Sequence, residues 1–162
     1  MMKWAALDRK GDDRPHLTLT LVEGTIVVLD LDKFEEYVKE HGLSEYSPNI
    51  VTGTLSHLVE EFARKWQGVI VYGLDWQRGT EEAIIEIPYV HPEELRRDLE
   101  RIKNEINKLG ARISIVAIYD YVLAKPARDR REAYYGTPAR TRAHKLLKQI
   151  KREGGNKVVI MG

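Results

Sequence analysis

The feature that most limits the fold of this sequence is an uninterrupted apolar run, TIVVLDL, at residues 25–31. The run is rich in β-branched residues and predicts a central strand that is buried on both faces. Residues 16–22, HLTLTLV, alternate between polar and apolar and predict a half-buried strand, with Gly24 in a turn between the two. The core of the protein is therefore expected to form around a buried strand near its N-terminus.

The remaining periodicities predict how helices and strands follow this run. The predicted helices are 33–41, Ser47-Pro48 to Trp66, Pro92 to Leu109, and Thr137-Pro138 to Gly154. The predicted strands are 68–74, 81–89, 111–119 and 157–161, and residues 120–136 are expected to form a polar loop. The core order is strand, helices, hairpin, helix, strand, which is the split βαβ or ferredoxin-like arrangement.

This order predicts an α+β fold in which an antiparallel sheet carries the helices 47–66 and 92–109 on one face. We expect two parts in the chain. Residues 1–24 form an N-terminal strand extension, and residues 25–162 form the domain itself, which closes with an additional helix and strand.

Three aspartates fall where this arrangement brings strand ends together. Asp30 and Asp32 end the first core strand, and Asp75 lies at the tip of the hairpin in VYGLD. Carboxylates that lie close together repel one another and require a cation, and Mg²⁺ prefers such oxygen ligands. The competing interpretation is that Asp75 begins a turn and Asp32 caps the following helix, which are both common roles for aspartate.

Four short stretches, in the order of the predicted elements, resemble GGDEF domains and the related nucleotidyl-cyclase palm domains. DLDKFEEY is similar to the Asp-x-Asp-x-Phe signature, and VYGLDWQ resembles the stretch that holds Gly-Gly-Asp-Glu-Phe. ARISIVA is similar to the strand Ser-Ile-Gly-Val-Ala, and AHKLLKQIKREGGNKVV to the closing helix and strand. The resemblance extends from about residue 25 to 161, and other members are archaeal GTP cyclohydrolase III and the palm of type III CRISPR polymerases.

The resemblance implies a purine nucleoside triphosphate as ligand, Mg²⁺ or Mn²⁺ as cofactor, and a two-fold homodimer. Asp30 and Asp75 would be the catalytic carboxylates. The implied metal ligands are Asp30, the carbonyl of Leu31, Asp75 and, for a second metal, Asp32. The implied nucleotide contacts are Lys151 and the backbone of Phe34 and Glu35, at a helix start where free N–H groups favour anions.

Two departures from the family remove charged side chains, a carboxylate in one case and a phosphate-binding guanidinium in the other. Trp76 stands where the signature has its glutamate, and Gly155 stands where the closing motif has an arginine. Trp76 cannot supply a carboxylate, so Glu81 or Glu82, just past the hairpin, is the alternative source of that acid.

Further departures fall where the family reads guanine. Val38 and Lys39 replace an Asn-Asp pair whose asparagine contacts the base, and Thr54 replaces a base-reading aspartate. Val38 has no hydrogen-bonding side chain, so a buried guanine would leave polar atoms unpaired there. We therefore expect a retained metal site, a lost guanine site and no synthesis of cyclic di-GMP.

The charge is distributed unevenly along the chain. Residues 1–124 hold 15 Lys and Arg against 22 Asp and Glu, whereas residues 125–162 hold 11 against 3. The basic segment includes Arg140 and Arg142, which are candidates for binding nucleotide phosphates, and it also contains Tyr134 and Tyr135. Arginines mixed with aromatics also suit single-stranded nucleic acid, and the simplest alternative is that the two halves neutralise each other within one fold.

The composition excludes several classes of protein. Cysteine is absent, which removes disulfides and thiol chemistry, and no apolar run approaches the 18 residues of a membrane span. The first residues have no signal-peptide pattern, so we expect a cytoplasmic protein, and the high Lys, Glu and Arg content suits a thermophile. Three functions stay open: a metal-dependent nucleotide enzyme, a nucleotide sensor without turnover, and a nucleic-acid-binding protein.

Overall fold

A computed structural model describes residues 2–5, 18–44 and 46–162. The strands are β1 (Met2–Ala5), β2 (Thr18–Asp32), β3 (Val69–Tyr72), β4 (Glu82–Pro88), β5 (Arg112–Val122) and β6 (Val158–Met161). The helices are α1 (Phe34–His41), α2 (Ile50–Trp66), α3 (Arg96–Lys108), α4 (Arg130–Tyr135) and α5 (Pro138–Arg152), and a 3-10 turn at Pro92–Leu95 leads into α3. The predicted α+β, split βαβ arrangement is confirmed.

The sheet is built around β2. Its order is β3-β4-β2-β5-β6, and β1 pairs with the first part of β2. Strand β2 is antiparallel to β4 on one side and to β5 on the other, and only the β5–β6 pair is parallel. Residues 26–29 of β2 are almost completely buried, as the apolar run predicted.

The predicted turn at Gly24 is wrong, because β2 is one continuous strand of 15 residues. Gly24 lies inside it, opposite Pro88 of β4 and Asp120 of β5. A Cβ atom at this position would collide with the carbonyl oxygen of Ile87. The glycine therefore permits a close approach of two strands. It does not mark a turn, although glycine is also the residue most typical of turns.

Helices cover both faces of the sheet. The predicted layer of α2 and α3 on one face is confirmed: their apolar side chains pack, with those of α1, against Val27, Leu29 and Leu31. Helices α4 and α5 pack on the opposite face, against Ile26 and Val28. Within the described residues, no helix combines the length and the apolar character that a membrane crossing needs.

Two local predictions need correction. Helix α2 begins at Ile50 rather than at Ser47-Pro48, because Asn49 caps it and forms a reciprocal capping box with Thr52. Residues 120–136 are not simply a loop, because β5 continues to Val122 and α4 follows. Of the predicted extension at residues 1–24, the described residues form β1 and the first part of β2, and the rest lies outside the described residues.

A buried ion pair fastens the C-terminal part of the chain to the sheet. Arg140 of α5 is 1% exposed, and its Nε and Nη2 atoms each donate to a different carboxylate oxygen of Glu86 at 3.1 Å. Arg140 also donates to the carbonyls of Lys125 and Glu132. The expectation that Arg140 binds nucleotide phosphate is therefore wrong, because its guanidinium is enclosed and already satisfied within the core.

We predict that Arg140→Met destabilises the protein by about 3–5 kcal/mol, because it leaves Glu86 buried without its cation. Urea denaturation of the wild type and the variant measures this change. The control is Arg142→Met, which removes an exposed pair with Asp120 and should cost at most about 1 kcal/mol. Equal losses in the two variants would contradict the structural role of the buried pair.

Candidate nucleotide and metal site

Three oxygen atoms at the end of β2 converge on one cationic group. The ammonium of Lys151, in the last turn of α5, lies 3.2 Å from Oδ2 of Asp30, 2.9 Å from the carbonyl oxygen of Leu31 and 3.4 Å from Oδ1 of Asp32. Asp30, Leu31 and Asp32 are the residues that the family resemblance names as metal ligands. The structure brings these three together, with the nitrogen of Lys151 as the cation they share.

Asp32 has a second task, which is to hold the turn after α5. Its Oδ1 accepts from the hydroxyl of Ser114 at 2.8 Å, and its Oδ2 accepts from the backbone N–H of Asn156 at 2.7 Å. Gly155 has φ +65°, and a Cβ atom there would stand 2.7 Å from the Asp32 carboxylate. A side chain at position 155 would collide with Asp32, so the turn requires glycine there.

Asp30 faces a second acid across the sheet. Strand β4 places Glu82 directly opposite Asp30, and the N–H of Leu31 donates to the carbonyl of Glu81 at 3.0 Å. Burial raises the pKa of Asp30 to about 6; the nearby charge of Lys151 opposes this effect, and the charge of Glu82 adds to it. Asp30 is therefore a desolvated carboxylate, and its ionised form requires a cation.

Helix α4 supplies two hydrogen-bond donors to Glu82. The hydroxyl of Tyr134 donates to Oε1 of Glu82 at 2.5 Å, and Nε of Arg130 donates to the same oxygen at 3.2 Å. Burial and this hydrogen bond raise the pKa of the Tyr134 hydroxyl, so it stays protonated at neutral pH and acts as a donor. The contacts of Tyr134 and Arg130 with Glu82 were not predicted from the sequence.

Glu82, past the hairpin loop, is a second candidate for the acid of the family signature. Matched to residues 71–77, the signature has Trp76 in place of its acid, but the loop after β3 extends to residue 81. Like the signature Gly-Gly-Asp-Glu-Phe, residues 79–83, GTEEA, have a glycine followed two residues later by two acids. These residues lead into β4 beside Asp30. Glu82 is therefore the acid that faces Asp30, and Trp76 is an exposed loop residue in edge contact with His57.

The carboxylate of Asp75 accepts hydrogen bonds within the turn that follows β3. Its Oδ1 accepts from the backbone N–H groups of Gln77 at 3.0 Å and Arg78 at 2.8 Å, as aspartate does at the start of a turn. In the part of the chain that the structure describes, no three or more acidic or histidine side chains form a metal cluster. The hydrogen bonds of Asp75 fit the competing interpretation as a turn residue, and its grouping with Asp30 and Asp32 stays an untested prediction.

The start of α1 lies next to this site in sequence and has no side-chain cap. Lys33 precedes the helix with φ 48°, and its side chain does not cap the backbone N–H groups of the first turn. The ring of Phe34 is buried in the core and anchors the helix, whereas Glu35 is exposed.

An open cleft of about 400 Å³ lies beside the hairpin, lined by Tyr72, Leu74, Asp75, Arg78, Glu81 and Glu82.

Arg142 lies away from this site. It pairs with Asp120, which is opposite Gly24 on β2. Gly24 and Asp30 are six residues apart on one strand, which is about 20 Å at 3.3 Å per residue. The structure thus does not bring Arg142 together with Asp30, and a role for Arg142 in phosphate binding stays an untested prediction.

The comparisons with known proteins bear on the fold. No protein-family model and no curated protein matches the sequence. The structure is similar to that of the FimX GGDEF domain from Pseudomonas aeruginosa, with 19% identity and a TM-score of 0.54 over 87% of this chain and 81% of that one. It is also similar to the guanylyl cyclase Cya2, with 14% identity and a TM-score of 0.52 over 88% of this chain and 76% of that one. The chain therefore has the palm fold of GGDEF domains and nucleotidyl cyclases, as the resemblance implied.

The raised pKa of Asp30 predicts how stability depends on pH without divalent metal. The carboxyl group of Asp30 binds its proton more tightly in the folded state than in the unfolded state. Protonation of Asp30 therefore stabilises the fold fully below pH 3.8, and this stabilisation is lost as pH rises through about 6. From pH 4 to 7.5, we expect the unfolding free energy of wild type to fall by on the order of 2–3 kcal/mol relative to Asp30→Asn. Urea denaturation in EDTA measures this, and parallel curves for the two proteins would contradict it.

Proposed function

We propose that the end of β2 binds a purine nucleoside triphosphate together with Mg²⁺ or Mn²⁺. The observation that carries the proposal is the convergence of Asp30, the Leu31 carbonyl and Asp32 on the ammonium of Lys151. Two carboxylates and a carbonyl are the oxygen donors that Mg²⁺ accepts, so the residues fit this ion. The structural likeness to a GGDEF domain and a guanylyl cyclase supports a nucleotide as the second ligand.

The residues around the site suit the phosphates of such a ligand. When bound, the metal would neutralise charge on the phosphate oxygens and orient them. Lys151 would then exchange its contacts with Asp30 and Asp32 for contacts with phosphate. The uncapped start of α1 would present the backbone N–H groups of Phe34 and Glu35 to the triphosphate.

The reaction class we propose is nucleotidyl transfer or nucleotide hydrolysis, without synthesis of cyclic di-GMP. Glu82 faces Asp30, so the lack of an acid at Trp76 no longer argues against catalysis. Cyclic di-GMP is not an expected product because the positions that would read guanine lack suitable side chains. Val38 is buried in the core and offers no polar group, and Thr54 replaces a base-reading aspartate.

The second candidate is a nucleotide sensor that performs no chemistry. It is favoured by the engagement of Lys151 at the position that the metal would take and by the commitment of Asp75 to a turn. Binding of nucleic acid by the basic segment is less well supported by the geometry. Four of its arginines pair with carboxylates: Arg128 with Glu132, Arg130 with Glu82, Arg140 with Glu86, and Arg142 with Asp120.

We predict that Mg²⁺ or Mn²⁺ with a purine triphosphate stabilises the protein. A ligand at 100 times its Kd should add about 2.7 kcal/mol to the free energy of unfolding, because it binds only the folded state. Calorimetric titration and thermal unfolding with each NTP measure the effect, and chromatography of the mixtures identifies products, among which we expect no cyclic di-GMP. Turnover distinguishes the enzyme from the sensor, and light scattering on the same samples tests the proposed homodimer.

Two variants control this experiment. Asp30→Asn should abolish the metal-dependent stabilisation, whereas Asp75→Asn should retain it, because asparagine can still accept the hydrogen bonds of the turn. Loss of binding in Asp75→Asn alone would instead support Asp75 as a metal ligand. Absence of any metal–nucleotide binding by wild type would contradict the proposed function.

Lys151 makes a further prediction possible. Lys151→Met removes the ammonium from Asp30, Leu31 and Asp32, so we expect Mn²⁺ alone to bind more tightly than to wild type. The same variant should bind metal–nucleotide more weakly, because a phosphate contact is lost. Electron paramagnetic resonance of free Mn²⁺ and nucleotide titrations measure the two effects, and Lys145→Met, at an exposed position on the same helix, is the control. Parallel changes in both affinities would contradict this role.

A further inference from the structure

Helix α4 holds the carboxylate of Glu82 in place. Both donors from α4, the hydroxyl of Tyr134 and Nε of Arg130, reach the same oxygen of Glu82. The guanidinium of Arg130 also lies over the ring of Tyr134, 4.8 Å from its centroid. One carboxylate is therefore fixed by two side chains that also contact each other.

Tyr134 is a rigid donor because its surroundings leave its ring little freedom. The residue is 1% exposed, and the ring of His144 on α5 lies against it, with centroids 4.2 Å apart. Helix α4 is fixed at its start, where Asp129 caps it through the N–H of Glu132. The buried Arg140 holds the carbonyl of Glu132 in the same helix. The hydroxyl of Tyr134 thus has a fixed place relative to the sheet.

The need for such donors follows from the pairing of the strands. Asp30 and Glu82 are direct neighbours across β2 and β4, and like charges in that position repel. Lys151 binds Asp30 from α5, whereas Tyr134 and Arg130 bind Glu82 from α4. Partners from different helices therefore hold the two acids side by side against their mutual repulsion.

We propose that Tyr134 and Arg130 are positioning residues that hold Glu82 beside Asp30 in the arrangement that binds the metal–nucleotide complex. This inference rests on the proposed function. Groups that orient the residues of a metal site typically contribute 10- to 100-fold to metal affinity. Tyr134→Phe removes only the hydroxyl and keeps the buried ring, so the affinity for Mn²⁺ with a purine triphosphate should fall about 10-fold.

The experiment compares neighbouring tyrosines on one helix. Tyr135 is 56% exposed, so Tyr135→Phe is the matched control for Tyr134→Phe. Arg128 pairs with Glu132 rather than with Glu82, so Arg128→Gln is the control for Arg130→Gln. Calorimetric titration with Mn²⁺ and each purine triphosphate gives the affinities, the resonance spectrum of bound Mn²⁺ reports its surroundings, and circular dichroism checks the fold.

A second pair of variants tests whether Tyr134 acts through Glu82. In a Glu82→Gln background, Tyr134→Phe should cause no further loss of affinity. Wild-type affinity and an unchanged Mn²⁺ spectrum in Tyr134→Phe would overturn the inference while the proposed function stands, as would an equal loss with and without Glu82. Absence of metal–nucleotide binding by wild type would overturn both.

Discussion

The antiparallel pairing of β2 with β4 and β5 is the constraint on which the rest of the structure depends. Side chains alternate along a strand, so the register that buries Val27 and Leu29 toward α2 and α3 sends Asp30 and Asp32 to the other face. The same alternation sends Glu82, Glu86 and Ser114 of the neighbouring strands to that face. One face of the sheet is therefore apolar, and the other carries acids that its covering layer must neutralise.

That requirement explains the uneven charge of the chain. The layer that covers the acidic face is α4 and α5, which are formed by the basic C-terminal segment. Arg140 binds Glu86 in the core, and Lys151 binds Asp30 and Asp32 at the end of the same helix. The expectation that the two halves neutralise each other within one fold describes this geometry, and the buried pair also fixes α4 so that its side chains reach the strand ends.

The sequence predicted the elements that depend on local periodicity. The buried part of β2, the apolar stripes of α2 and α3 and the start of α5 at Thr137-Pro138 all follow from residues close together in the chain. What it did not show depends on distant partners. The pairing of Glu82 with Asp30 depends on the length of the loop after β3, which the sequence does not reveal. The burial of Arg140 depends on Glu86, an acid within an apolar strand. That acid was the available signal, because a buried carboxylate requires a cation.

The contacts of Lys151 with Asp30 and Asp32 are relevant to both candidate functions, the enzyme and the sensor. Asp30 and Asp32 share a single ammonium, so one of the two charges is left uncompensated by that group. A divalent ion would neutralise both and would release Lys151, which lies at the end of a helix and can turn toward an incoming phosphate. A metal without nucleotide gives the released lysine no partner, whereas a metal with nucleotide supplies one. If the proposed function holds, joint binding of the two ligands would be favoured over binding of metal alone, whether or not chemistry follows.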